Sequence, residues 1–114
     1  MQLDSAVVLA KSEGFAQQGT WMLGALDDGG STTLPTELRA GLTYLIVGVC
    51  DYDCTDVDLI LDDPSGNEVV SDLLADDAPV LTTDITTAGA YRITVDMAAC
   101  SLDPCNYGVA VFAK

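Results

Sequence analysis

Between Gly89 and Met97 the chain alternates strictly. Tyr91, Ile93, Val95 and Met97 interleave with Arg92, Thr94 and Asp96. Successive side chains of a β-strand point to opposite faces, so this period of two predicts a strand with one face buried and one wet. On a helix the same residues would scatter around the whole circumference. A second segment repeats the pattern: Val57, Leu59 and Leu61 alternate with Asp58, Ile60 and Asp62. Tyr44 to Cys50 (Tyr-Leu-Ile-Val-Gly-Val-Cys) is apolar on both faces and reads as a central strand.

Turn signals punctuate these segments. They are Asp27-Asp28-Gly29-Gly30-Ser31, Arg39-Ala40-Gly41, Asp63-Pro64-Ser65-Gly66-Asn67, Asp76-Asp77-Ala78-Pro79 and Thr87-Ala88-Gly89. Between them we expect strands around Thr20–Leu23, over Thr32–Leu38, at Glu68–Val70, over Val80–Ile85 and around Tyr107–Val111. Pro35, which lacks an amide proton, places its strand at a sheet edge. Seven or eight short strands at regular spacing predict an all-β, antiparallel β-sandwich rather than alternating strands and helices. One segment reads two ways. Asp4 or Ser5 can cap a short N-terminal helix that Gly14 ends, or Ala6–Ala10 is a buried strand; the helix is preferred. At 114 residues without a repeat or linker, residues 1–114 form one expected domain.

The four cysteines fall as Cys50-x3-Cys54 and Cys100-x4-Cys105. An even number at short spacing in a small chain points to disulfides and an oxidising compartment. A four-thiolate metal site is the rival, and the aspartates beside these cysteines oppose it by raising thiol pKa values. Nearest-neighbour pairing is preferred because each pair brackets one loop, with crossed pairing as the alternative.

The charge balance excludes whole classes of function. There are 18 acids, 4 bases and no histidine, for a net charge of −14. Without histidine, Ser-His and Cys-His catalysis have no base in this chain. Lys11, Arg39, Arg92 and Lys114 are too few to neutralise a nucleic-acid backbone. An anionic membrane would repel so acidic a surface, and no apolar run is long enough to insert. Met1-Gln2-Leu3-Asp4 lacks the basic and long apolar regions of an intact signal peptide. Aspartate far outnumbers glutamate, which favours turns over helices. Solvated turns, calcium ligation and a salt-adapted surface all fit that bias, the first being preferred.

From Leu38 onward the order of motifs resembles the bacterial pre-peptidase C-terminal (PPC) domain. The matching pieces are Leu38-x-x-Gly41-x-x-Tyr44, Asp56-x-Asp58-Leu59-x-Leu61, Pro64-Ser65-Gly66 and Gly89-x-Tyr91-x-Ile93-x-Val95. The resemblance implies a jelly-roll-like sandwich over residues 38–114, with 1–37 as an N-terminal extension carrying the first strands. It also implies a secreted accessory module, and it is shared with collagen-binding domains that bind matrix proteins and can use calcium. The chain departs from that pattern in its two cysteine loops and its added front segment.

Asp51, Asp53, Asp56 and Asp58 make the densest acid cluster, and a hard cation such as calcium is the ligand such oxygens suit. The competing reading is a solvated loop held by Cys50–Cys54. The cluster lacks the glycine and closing glutamate of an EF-hand. Asp58 and Asp62 are too far apart along a strand, about 13 Å, to act as a glycosidase pair. Among Trp21, Tyr44, Tyr52, Tyr91 and Tyr107, Tyr52 lies in the acidic loop and is the candidate for an exposed binding aromatic. The apolar segments Ala6–Ala10 and Gly108–Ala113 could add to a neighbouring chain's sheet or pair within their own.

These readings combine into a non-catalytic extracellular structural or interaction module, at the cell surface or secreted. Its expected partner is another copy of itself, in oligomers or filaments, or a second extracellular protein. The alternative is an accessory domain that binds calcium, a glycan or a matrix protein. No cofactor is required; calcium is the sole candidate.

Overall fold

The computed structural model describes residues 10–75 and 77–114. Eight strands follow one another: β1 (Ala16–Leu26), β2 (Ser31–Leu38), β3 (Leu42–Cys50), β4 (Cys54–Asp62), β5 (Glu68–Asp72), β6 (Val80–Ile85), β7 (Gly89–Cys100) and β8 (Cys105–Ala113). They form two four-stranded sheets, ordered β1-β8-β3-β6 and β2-β7-β4-β5, with antiparallel pairing throughout. Consecutive strands mostly change sheets, and this order is that of a jelly roll. The all-β antiparallel sandwich expected from the sequence is the architecture observed.

The alternating segments supply the space between the sheets. Val57, Leu59 and Leu61 on β4 and Tyr91, Ile93, Val95 and Met97 on β7 are buried, and they pack with Tyr44, Ile46, Val109 and Val111 from the facing sheet. Full burial of one such side chain contributes about 1.5–3 kcal/mol. Gly48 of β3 admits the opposite sheet closely: a Cβ there would lie 3.1 Å from Leu59 and 3.1 Å from Pro79. Pro35 lies on β2, an edge strand that pairs, among the described strands, with β7 alone.

The apolar character of β3 on both faces has a specific cause. Leu45 and Val47 of β3, with Ala110 and Phe112 of β8, point away from the main core and build a second cluster with Ala10, Phe15 and partly buried Trp21. Residues 10–12 form a turn of helix, and Gly14 follows with φ +86°. The expected helix over 4–13 is thus present at its end; residues 4–9 lie outside the described residues. The Gly108–Ala113 segment lies inside β8, hydrogen-bonded between β1 and β3, so it presents no free edge to another chain. β1 is longer than expected from Thr20–Leu23, because its start, Ala16, Gln17 and Gln18, already pairs with β8 before a register shift between Gln18 and Met22.

Candidate functional site

The connections β1–β2, β3–β4, β5–β6 and β7–β8 all emerge at one end of the sandwich. Register places them together: Cys54 lies opposite Cys100, and Leu26 lies opposite Cys105. The Gly48 amide donates to the Pro79 carbonyl from the β5–β6 connection. Two of these loops are each closed by a disulfide. Cys50 bonds Cys54 with a Cα separation of 5.8 Å, and Cys100 bonds Cys105 at 6.0 Å. No cysteine is free.

Hydrogen bonds then tie the loops to one another. The Ser101 amide donates to the Asp53 carbonyl at 2.7 Å, and the Ser101 hydroxyl donates to the same oxygen at 3.1 Å. Asp51 Oδ2 accepts from the Asn106 backbone amide at 2.9 Å and from its Nδ2 at 3.1 Å. Asp28 Oδ1 accepts the Cys100 amide at 2.8 Å, and the Asp28 amide donates to Asp103 Oδ1 at 2.7 Å. Short aspartates serve here because a carboxylate one carbon from the backbone can cap nearby amides in a turn.

These bonds sort the four aspartates of the sequence cluster. Asp51 clamps the β3–β4 loop to the start of β8, and Asp53 holds the β7–β8 loop through its carbonyl. Asp56 and Asp58 have left the loop and belong to β4. Asp58 faces outward between the buried, inward Val57 and Leu59, and its ladder partner on β7 is Asp96. The β4–β7 register shifts on either side of Asp56. Asp51, Asp56 and Asp58 each keep a buried Oδ1 without a hydrogen-bond partner. Burial pushes the Asp58 carboxyl up to about 6; the charge of Asp56 and a hydrogen bond with it, then the charges of Asp96 and Asp72, push the same way. Among the described residues, no three carboxylates or thiolates are placed to share one metal ion.

What the loop end displays is apolar. Tyr52 is fully solvent-exposed at the tip of the β3–β4 loop, and Leu102 is 67 % exposed on the β7–β8 loop. Leu73 and Leu74 are 60 % and 70 % exposed where β5 gives way to the β5–β6 connection. Around them stand Asp27, Asp28 and Asp103, all exposed. Of the aromatic residues singled out with Tyr52, Tyr44, Tyr91 and Tyr107 are core and Trp21 is half-buried. Leu73, Leu74 and Leu102 escaped the sequence reading because isolated leucines in turns carry no periodic signal.

The opposite end is different. It holds an open cavity of about 510 Å³ lined in part by Asp63, Asp84, Thr87 and Tyr91. Its polar groups are largely committed: Asp63 Oδ1 accepts the Ser65 and Asn67 amides, Asp84 Oδ1 accepts the Thr43 hydroxyl, and the Tyr91 hydroxyl donates to the Thr87 carbonyl.

Comparison with protein-family models finds no match to this chain, and comparison with curated proteins finds none either. The sandwich and its braced loop end therefore carry the functional argument.

Proposed function

We propose that this domain is a non-catalytic, extracellular interaction module whose working surface is the disulfide-braced loop end. One observation carries the reading: Tyr52 is wholly exposed on a loop that a disulfide and cross-loop hydrogen bonds hold in place. A large aromatic side chain in water adds nothing to the fold. On a rigid loop it is an anchor whose ordering is already complete before a partner arrives, which lowers the entropic cost of binding. Tyrosine is also among the residues that dominate interface energetics.

The two disulfides support an oxidising setting outside the cytoplasm. The PPC-like order of motifs supports the same setting and an accessory role. The lack of any histidine, in a chain whose cysteines are all bonded, supports a role without bond-making chemistry.

Selection of a displayed random-peptide library on the immobilised domain tests the proposal. Enriched peptides should lose binding to the double variant Tyr52→Ser/Leu102→Ser, whose melting temperature should match the parent because both side chains lie in solvent. Peptides that bind parent and variant equally would overturn the assignment of the surface.

A further inference from the structure

The basic residues of the molecule are gathered toward one end, while its acids lie at both. All four bases lie toward the end opposite the disulfides. Arg39 follows β2 in the β2–β3 turn, where its amide donates to the Tyr44 hydroxyl. Arg92 lies opposite Pro35 and Asp62, and its guanidinium is 3.7 Å from where a Cβ on Gly66 would sit. Lys114 pairs through its backbone with Thr43, and its ammonium donates to the Glu13 carbonyl and stands 4.6 Å over the Phe15 ring. Lys11 precedes the same Phe15 in the short helical turn. Among the described residues, the loop end is left with aspartates and exposed apolar side chains, and with no basic side chain.

We infer that the partner of the loop end is a polypeptide segment that combines lysine or arginine with apolar side chains. This rests on the interaction surface proposed above and adds the chemistry of its occupant. An uncharged apolar partner would strip water from Asp27, Asp28 and Asp103 and return nothing for it. A cationic segment replaces that water with opposite charge while its apolar groups cover Tyr52 and Leu102. The negative field also steers such a partner toward this end before contact. A second copy of the chain fits poorly. It carries −14 overall, and its bases share their end with Glu13, Glu37, Asp62, Asp63 and Asp84.

Three synthetic peptides of equal length test the inference by titration into the intact domain. One alternates Lys and Leu, one Lys and Ser, one Glu and Leu. The Lys/Leu peptide should bind, and more weakly as salt is raised. The Tyr52→Ser/Leu102→Ser variant should bind it about tenfold more weakly, whereas Val69→Ser, at the opposite end, should bind it as the parent does. The Lys/Ser peptide should bind no better than the Lys/Leu peptide binds the double variant. Equal binding of Lys/Leu and Lys/Ser peptides by parent and variant would mean diffuse charge attraction, and would overturn both the partner and the surface. A Glu/Leu peptide that binds as tightly, and depends on Tyr52 and Leu102, would overturn the partner's charge while the surface stands. A concentration-dependent oligomer of the domain that the double variant dissolves would replace the cationic segment with a second copy.

Discussion

Asp58 and Asp96 stand directly opposite each other in the β4–β7 ladder, two carboxylates on one face of a sheet. Asp58 is 9 % exposed and keeps one oxygen without a partner, and its neighbour on the same strand face is Asp56. The local arrangement therefore works against ionisation of Asp58, and the fold carries that opposition at neutral pH.

The folded pKa of Asp58, about 6, lies above the ordinary value of 3.8. Its contribution to stability is therefore fully present below 3.8 and is lost as pH rises through about 6. Asp58→Asn removes the charge and keeps the shape. With solvent screening taken into account, it should stabilise the domain by about 1–2 kcal/mol at pH 7. The gain should shrink progressively toward pH 4. Urea unfolding of parent and variant across that range measures it; a gain independent of pH would contradict the assignment.

The two disulfides close very short loops, for which chain-entropy arguments give about 2 kcal/mol each. Replacing Cys50 and Cys54 together by serine, or Cys100 and Cys105 together, should lower the melting temperature by about 10 °C in either case. Peptide mapping without reductant should recover the two nearest-neighbour links and no crossed product.

Asp28 joins two loops by accepting the Cys100 amide. Asp28→Ala leaves that amide without its partner and should cost about 1–3 kcal/mol. Hydrogen exchange should accelerate at Cys100 and at residue 28 while the β3 amides, at the middle of their sheet, stay protected.

Gly48 sits against Leu59 of the facing sheet and Pro79 of the β5–β6 connection. A methyl group there meets Leu59 and Pro79 at 3.1 Å, so Gly48→Ala should be tolerated with modest loss as both neighbours shift slightly. Gly48→Val adds bulk that the packed interior has no room for, and should destabilise by about 2–3 kcal/mol. Thermal melts of the two variants separate these outcomes.

Strands with one buried face and one wet face were legible from the chain itself. Tyr91, Ile93, Val95 and Met97 announce β7 because one face of that strand is dry and the other wet. Pro35 placed β2 at an edge because its missing proton is tolerated only where no neighbour needs it. β1 was only partly legible. Gln17 and Gln18 carry no strand signal, and backbone pairing with β8 recruits them regardless of side chain.

The candidate site was legible in pieces only. Tyr52 stood out as an aromatic in an acidic loop, and the cysteine spacing marked two loops. That those loops share an end depends on β4 pairing with β7, a long-range contact that local pattern does not encode. The aspartates from 51 to 58 read as one group for the converse reason. Asp51 and Asp58 are close in sequence, but a loop and a strand carry them into different duties: one clamps Asn106, the other faces Asp96.

The second apolar cluster, on the far side of β3 and β8, gives the two sheets unequal freedom to drift. Along β7 every other position touches water and can accept new residues generation after generation. Along the middle of β3, Leu45 and Val47 are as constrained as Tyr44 and Ile46, with which they alternate. Sequences descended from a common ancestor should therefore diverge in a striped pattern on one layer and hardly at all through the centre of the other.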